Sequence, residues 1–200
     1  MTLDEIAIKH GTDKATTHPV AGHGYAPHYD RLFSPLRDKP IKLLEIGVGG
    51  GESIRTWLDY FQVASVFGVD IVSCTNPWNT PESNADARYT FVQGDQGSAS
   101  FWEEFVSKYS GAWDVIIDDG SHYSNHVIAS FDSMWRHVNY GGMYCIEDLG
   151  VAYSSNTIFV PAGFQNHMDF IKDKLDDINH KRHDMASIHF SRELAIISKF

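Results

Sequence analysis

Ile41-Lys42-Leu43-Leu44-Glu45-Ile46-Gly47-Val48-Gly49-Gly50-Gly51-Glu52 is the stretch on which the fold turns. A short apolar run closed by glycines reads as a buried strand, and the glycines then open onto a helix. Two later runs end in acids instead. Trp113-Asp114-Val115-Ile116-Ile117 stops at Asp118-Asp119, and Gly142-Met143-Tyr144-Cys145-Ile146 stops at Glu147-Asp148. Three strand-like runs ending in glycines or acids gather the chemistry at one edge of a sheet, where open α/β sheets take their ligands.

Outward from these runs the pattern alternates. Strands are expected at 41–47, 65–71, 89–94, 113–118 and 142–147, with helices at 51–61, 98–109, 125–138 and 163–178. Strands apolar on both faces, separated by amphipathic helices, predict a parallel sheet covered on both sides. Upstream, Leu3, Ile6 and Ala7 predict a helix over 2–9. A loop follows, and Pro27 opens a second helix carrying Tyr29, Leu32, Phe33 and Leu36. Near the other end, 187–190 and 194–198 predict an antiparallel hairpin. The expectation is one α/β domain over 1–200, with a helical and loop cap at 1–40. Its core is a doubly wound, mostly parallel, Rossmann-like sheet of seven strands ending in the hairpin. The segment from Val72 to Arg88 is long for a connection and reads either as a mobile lid or as a disordered insert.

Composition narrows the function classes. A hydrophobic fraction of 42% and an aromatic fraction of 13% are those of a folded protein. No apolar run is long enough to span a membrane, and the acidic start Met1-Thr2-Leu3-Asp4-Glu5 has no secretory h-region. A net charge of -10, from 26 acids and 16 bases, argues against a nucleic-acid partner. Cys74 falls in a polar loop and Cys145 in a buried strand, so no disulfide is expected and a cytoplasmic protein fits.

Gly47, Gly49 and Gly51 bring backbone close to a ligand at a helix N-terminus. A dinucleotide fingerprint would need glycine at 52 and finds Glu52. The pattern from Glu45 through Gly47, Gly49 and Gly51 instead resembles motif I of class I S-adenosylmethionine-dependent methyltransferases. Asp70 then ends the second strand, where a carboxylate can hold ribose hydroxyls, and Asp95-Gln96 follows the third, at the adenine position of that pattern. In such a sheet the fourth and fifth strands are neighbours about 4.8 Å apart, so the acids at 118–119 and 147–148 are expected to converge. Oxygen ligands suit magnesium or manganese better than zinc. His122, three residues beyond Asp119, is placed to take a proton from an alcohol. His126 reads as first-turn helix structure. Ser121 lacks the flanking glycines of a nucleophile elbow and a third orienting group.

His10-Gly11-Thr12-Asp13-Lys14, His23-Gly24-Tyr25, Asp118-Asp119-Gly120-Ser121-His122 and Ile146-Glu147-Asp148-Leu149, with the glycine loop, resemble metal-dependent sugar O-methyltransferases. This family methylates macrolide deoxysugars and mannose or rhamnose units. The resemblance runs from about residue 9 to 150. It implies that Asp119, Glu147 and Asp148 hold magnesium and that His122 is the base. It further implies that Tyr25, Ser53, Asp70 and Asp95 line the donor site, with Asp118 near its methionine end and Thr12, Asp13 and Lys14 closing over it. The acceptor is then a small molecule or glycoconjugate. Macrolide enzymes of this type can carry a large N-terminal oligomerisation domain, whereas about 40 residues precede the first strand here, so a homo-oligomer stays open. Tyr153 and Phe159 either stack on a sugar ring or pack their loop. The rival readings are a catechol or other vicinal-diol acceptor and a non-catalytic nucleotide-binding regulator. An oxidative role finds no two-histidine facial triad.

Overall fold

The computed structural model describes all residues except 74–76, 79, 81–84, 110 and 182–183. Seven strands form one sheet: β1 (Lys42–Ile46), β2 (Ser65–Asp70), β3 (Tyr89–Gln93), β4 (Trp113–Asp118), β5 (Val138–Ile146), β6 (Met185–Ser191) and β7 (Leu194–Lys199). Their order is β3-β2-β1-β4-β5-β7-β6. The first five are parallel, and β7 runs antiparallel to both β5 and β6. This is the expected doubly wound sheet with its terminal hairpin.

Alternation along the strands sorts the core into two layers. Leu43, Val115, Ile117, Cys145 and Ile196 face α1 (Leu3–His10), α2 (Ala26–Phe33) and α3 (Glu52–Tyr60), where Ile6, Tyr29, Phe33, Ile54 and Trp57 are buried. Leu44, Ile46, Ile116, Tyr144 and Ile197 face α4 (Ala99–Tyr109), α5 (Ser124–Met134) and α6 (His167–Asn179), which bury Trp102, Phe105, Phe131 and Phe170.

Boundaries moved where local chemistry outweighed periodicity. The helix expected over 163–178 begins at His167, because the Asn166 side chain caps it by accepting from the Met168 N–H. The helix expected to reach 138 ends at Met134 and continues as a 3-10 turn over Trp135–His137. β5 therefore starts at Val138, four residues before the expected strand. The hairpin strands also extend beyond their expected ends, and Ser191 pairs with Leu194 across a two-residue turn. The expectation of a lid or disordered insert over 72–88 falls in part, at 74–76, 79 and 81–84, on residues outside those described, and Cys74 is one of these; Cys145 is a free, buried thiol.

The cap is built to deliver residues 12–14 to the sheet edge. Thr2 and Glu5 cap α1 reciprocally, and Gly11 ends it with φ 75°. Beyond it, Asp13, Lys14 and Ala15 carbonyls accept from the N–H groups of His23, Ala26 and Gly24. That ladder holds the Lys14 backbone above the ends of β1, β4 and β5.

Candidate functional site at the carboxyl edge of the sheet

The registers bring the three decisive runs to one level. Ile46 pairs with Asp118, and Asp118 pairs with Ile146. Hydrogen bonding continues one residue further: the Asp119 N–H donates to the Ile46 carbonyl (2.9 Å) and the Glu147 N–H to the Asp118 carbonyl (3.0 Å). Gly47, Asp119 and Glu147 thus stand side by side. Gly47 has φ 89°, and a Cβ there would lie 2.1 Å from the Asp119 carbonyl oxygen, so only glycine fits.

The strand period of two separates the neighbours in the first acid pair. Asp118 shares the parity of Ile116 and points into the α4–α6 layer. Its carboxylate accepts from the Gln96 amide (3.0 Å), the Ser130 hydroxyl and the Tyr144 hydroxyl (3.1 Å). Burial raises its pKa, with those three donors opposing. Asp119 shares the parity of Ile117 and points the other way, toward the cap. Of the four acids expected to converge, Asp119 meets Asp148 on one side and, through Lys14, Glu147 on the other, and Asp118 turns away.

Lys14 sits among the converging acids. Its Nζ donates to Asp119 and to Glu147 (2.7 Å) and lies 3.7 Å from Glu45. Burial works against the ammonium, but the carboxylates of Asp119, Glu147 and Glu45 outweigh it and hold Lys14 well above the ordinary lysine range. Glu147 also accepts from the Tyr29 hydroxyl (2.6 Å), and Asp148 accepts from the Tyr25 hydroxyl (2.7 Å). Glu45 is completely buried and accepts from Ser53 (2.8 Å); burial pushes its carboxyl up to about 7.

Two adjoining cavities flank this edge. The larger, about 500 Å³, is lined by Thr12, Asp13, Lys14, Gly47, Gly49, Ser53, Asp70 and Asp119, among others. The second, about 340 Å³, is lined by Ile46, Val69, Ile71, Asp95, Gln96 and Tyr123, with Gly47, Asp70 and Gly120 shared between the two. Asp70 braces the glycine loop, accepting from the Val48 (2.9 Å) and Gly49 (3.1 Å) N–H groups. Asp95 is exposed at the second cavity and accepts from the Gly97 N–H (2.8 Å). Glu45, Asp118 and Tyr25, which the resemblance gave to the donor site or its surroundings, stand behind the cavity walls. Each bonds a wall or acid residue instead.

On the solvent side of the acids, Asp119, His122 and Asp148 each offer an atom within 4.8 Å of the others, as do His23, Asp148 and Glu193. His122 Nε2 is 3.6 Å from Asp148 Oδ2. His122, Asp148 and Glu193 all have φ between 54° and 60°, three of the four described non-glycine residues in the left-handed region. Such strain gathers at functional sites. Two open carboxylates backed by a third suit a hard divalent cation, and the imidazole beside them suits proton transfer.

Ser121 contacts His126 (3.0 Å), whose ring packs on Tyr123. His126 is the third residue of α5. Phe159 lies edge-on to Tyr123, whereas Tyr153 is exposed. Sequence reasoning gave Tyr25 to the donor site without its bond to Asp148, and it missed the places of Tyr29 and His167, since hydroxyls from distant helices leave no local pattern.

His167 lies in the layer behind His122. The Ser124 hydroxyl accepts from its backbone N–H (3.2 Å) and lies 2.8 Å from Nδ1, so a neutral ring accepts the Ser124 proton. Burial lowers its pKa to about 4, and His122 adds to the shift. The unfolded chain, with an ordinary histidine near 6.5, binds more protons below that value. This contribution to stability is full above about pH 6.5 and is lost as pH falls through about 4. In urea unfolding, His167→Asn should show a smaller loss between pH 7 and pH 5 than wild type. Equal losses would contradict a neutral buried ring.

The family model described as "Methyltransferase domain" matches residues 44–149. The chain is 40% identical over 139 residues to the mycinamicin VI 2''-O-methyltransferase of Micromonospora griseorubida, covering 66% of this chain and 33% of that protein. It is 31% identical over 225 aligned residues to the 8-demethyl-8-alpha-L-rhamnosyl tetracenomycin-C 2'-O-methyltransferase of Streptomyces olivaceus, covering 98% of this chain and 54% of the relative. Among solved structures, the MycE methyltransferase of the mycinamycin biosynthetic pathway, in complex with Mg, SAH and mycinamycin VI, superposes with a TM-score of 0.83. The identity is 32%, over 100% of this chain and 54% of that one. The chain thus spans between a third and about half the length of these relatives.

Proposed function

Because the chain belongs to the methyltransferase domain family, we propose that it transfers a methyl group from S-adenosylmethionine to a hydroxyl of a sugar or glycosylated metabolite. Magnesium or manganese is the metal of this reading. The observation that carries it is Asp119, which lines the glycine-loop cavity, shares Lys14 with Glu147 and stands within ligand reach of Asp148 and His122. The relatives named for O-methylation of mycinamicin VI and of a rhamnosyl tetracenomycin support the sugar acceptor.

Thr12, Gly47, Gly49 and Ser53 take the amino-acid end of the donor in the larger cavity. Asp70 would hold the ribose, and Asp95 and Gln96 would line the adenine end in the smaller, more apolar one. Lys14 also lines the larger cavity but acts on the acids. Glu45, Asp118 and Tyr25 act from behind: Glu45 steadies Ser53, Asp118 anchors Gln96, and Tyr25 orients Asp148. Asp119, Glu147 and Asp148 would hold the cation, which when bound lowers the pKa of an acceptor hydroxyl and orients it. His122 receives the hydroxyl proton as the new oxygen–carbon bond forms and the carbon–sulfur bond of the donor breaks. The remaining contribution is alignment of the two substrates.

No helix among the described residues is long and apolar enough to cross a membrane, and we place the protein in the cytoplasm, acting on a small molecule or glycoconjugate. Association into homo-oligomers and a single domain over 1–200 belong to the same reading.

Incubation with donor, magnesium and a panel of glycosides, followed by mass spectrometry, should yield a product heavier by one methyl group. Methylation of catechols alone would move the acceptor to the rival class. The demethylated donor product should raise the melting temperature by roughly 5–10 °C at a hundredfold excess over its Kd. Stabilisation by NAD and none by that product would overturn the assignment.

A further inference from the structure

Lys14 is 2% exposed and follows Gly11 in a segment with no regular secondary structure. A buried lysine is costly unless it is paired, and this one faces three carboxylates from three different strand ends. Glu45 belongs to β1, Asp119 follows β4 and Glu147 follows β5. None of the three has another cationic lysine or arginine partner within ion-pair distance among the described residues. The two oxygens of Glu147 are divided between Lys14 and Tyr29, which fixes the carboxylate plane. Asp119 gives Oδ2 to Lys14, while its carboxylate also faces His122 and Asp148. One ammonium therefore ties together two acids, of which Asp119 keeps its open side toward His122 and Asp148.

We propose that Lys14 is the positioning residue of the acid cluster. Its ammonium is the fixed counter-charge that holds Asp119 against Glu147, with Asp119 turned to the space it shares with His122 and Asp148, and it pins the 11–24 segment to the sheet edge. The inference rests on the metal reading above and reassigns Lys14 from a donor contact to a support of the acids. A metal-ligating carboxylate commonly accepts a hydrogen bond from such an outer group, because each oxygen has two lone pairs. The cation and the ammonium then share the negative charge of the cluster. Removal of Lys14 leaves the buried Glu45 and Glu147 and the half-buried Asp119 without that counter-charge, and a bound cation would recover part of the loss.

The test measures melting temperature in EDTA and in magnesium for wild type, Lys14→Met and the double variant Lys14→Met/Glu147→Gln. In EDTA, Lys14→Met should melt roughly 10 °C below wild type, as when one partner of a buried ion pair is removed. The double variant, with one carboxylate neutralised, should recover at least half of that fall. Magnesium should raise Lys14→Met by more degrees than it raises wild type. Equal magnesium increments, together with a double variant no more stable than the single one, would reduce Lys14 to a packed aliphatic stem. Unchanged stability in EDTA with loss of donor-induced stabilisation would make it a donor ligand; either result overturns the proposal. Should Lys14→Met not fold in EDTA, folding of the double variant there, or of the single one in magnesium, supports the counter-charge. Failure in every condition refutes it. The EDTA comparison involves neither donor nor metal. A wild type that ignores magnesium would thus sink the metal reading while the counter-charge is still decided.

Discussion

Asp119→Asn should lose methyl transfer by roughly 10³-fold or more, the scale of several kcal/mol that a cation supplies to a transition state. Wild type stripped by a chelator should fall equally far, and magnesium or manganese should restore wild type but not the variant. The geometry explains why this acid is singled out. Asp118, its neighbour, is buried in the opposite layer on Gln96, Ser130 and Tyr144. Asp119 alone of the pair reaches both Lys14 and the space shared with His122 and Asp148. Donor binding should survive in Asp119→Asn, since the glycine loop and Asp70 are unchanged. Full activity of wild type in excess EDTA would leave these acids with a structural role only.

His122→Ala should reduce turnover by roughly 10²–10⁴-fold, the range for a positioned general base. Donor affinity should be retained, because His122 lines neither cavity. Metal affinity is the sharper readout. His122 stands with Asp119 and Asp148 as one of three groups within ligand reach of a common point. If it is the base, magnesium should still stabilise the alanine variant. If magnesium no longer does so, His122 is a ligand and the proton acceptor must be sought elsewhere. Near wild-type turnover would reduce it to a strained loop histidine.

The two outcomes also depend on how the acids are arranged, which sequence reading anticipated only in part. The runs ending at Ile46, Asp118 and Ile146 were legible as parallel strands because each is apolar on both faces and stops at glycines or acids. The hairpin was legible in two short runs around Arg192-Glu193. The glycine loop and its partner Asp70 were legible by spacing. What did not show was the side of the sheet to which each acid points. That depends on exact register, and a strand end misread by one residue exchanges the faces. His23 and Tyr29 stood in a segment read as loop and helix, with no local pattern to tie them to residues 118–170 positions away, and only the resemblance brought Tyr25 to the site.

Local pattern by itself determined the layers of this protein, since hydrophobic periodicity specifies which segments are strands and which helices cover them. It also determined that acids gather at the carboxyl edge, because each run carries its own ending. Only the tertiary structure decided which acids face one another: the alternating strand parity sends Asp118 into one layer and Asp119 into the other. It alone decided that Lys14 is the cation between them. A buried charge is stable only where opposite charges reach it, and those come here from three separate strand ends.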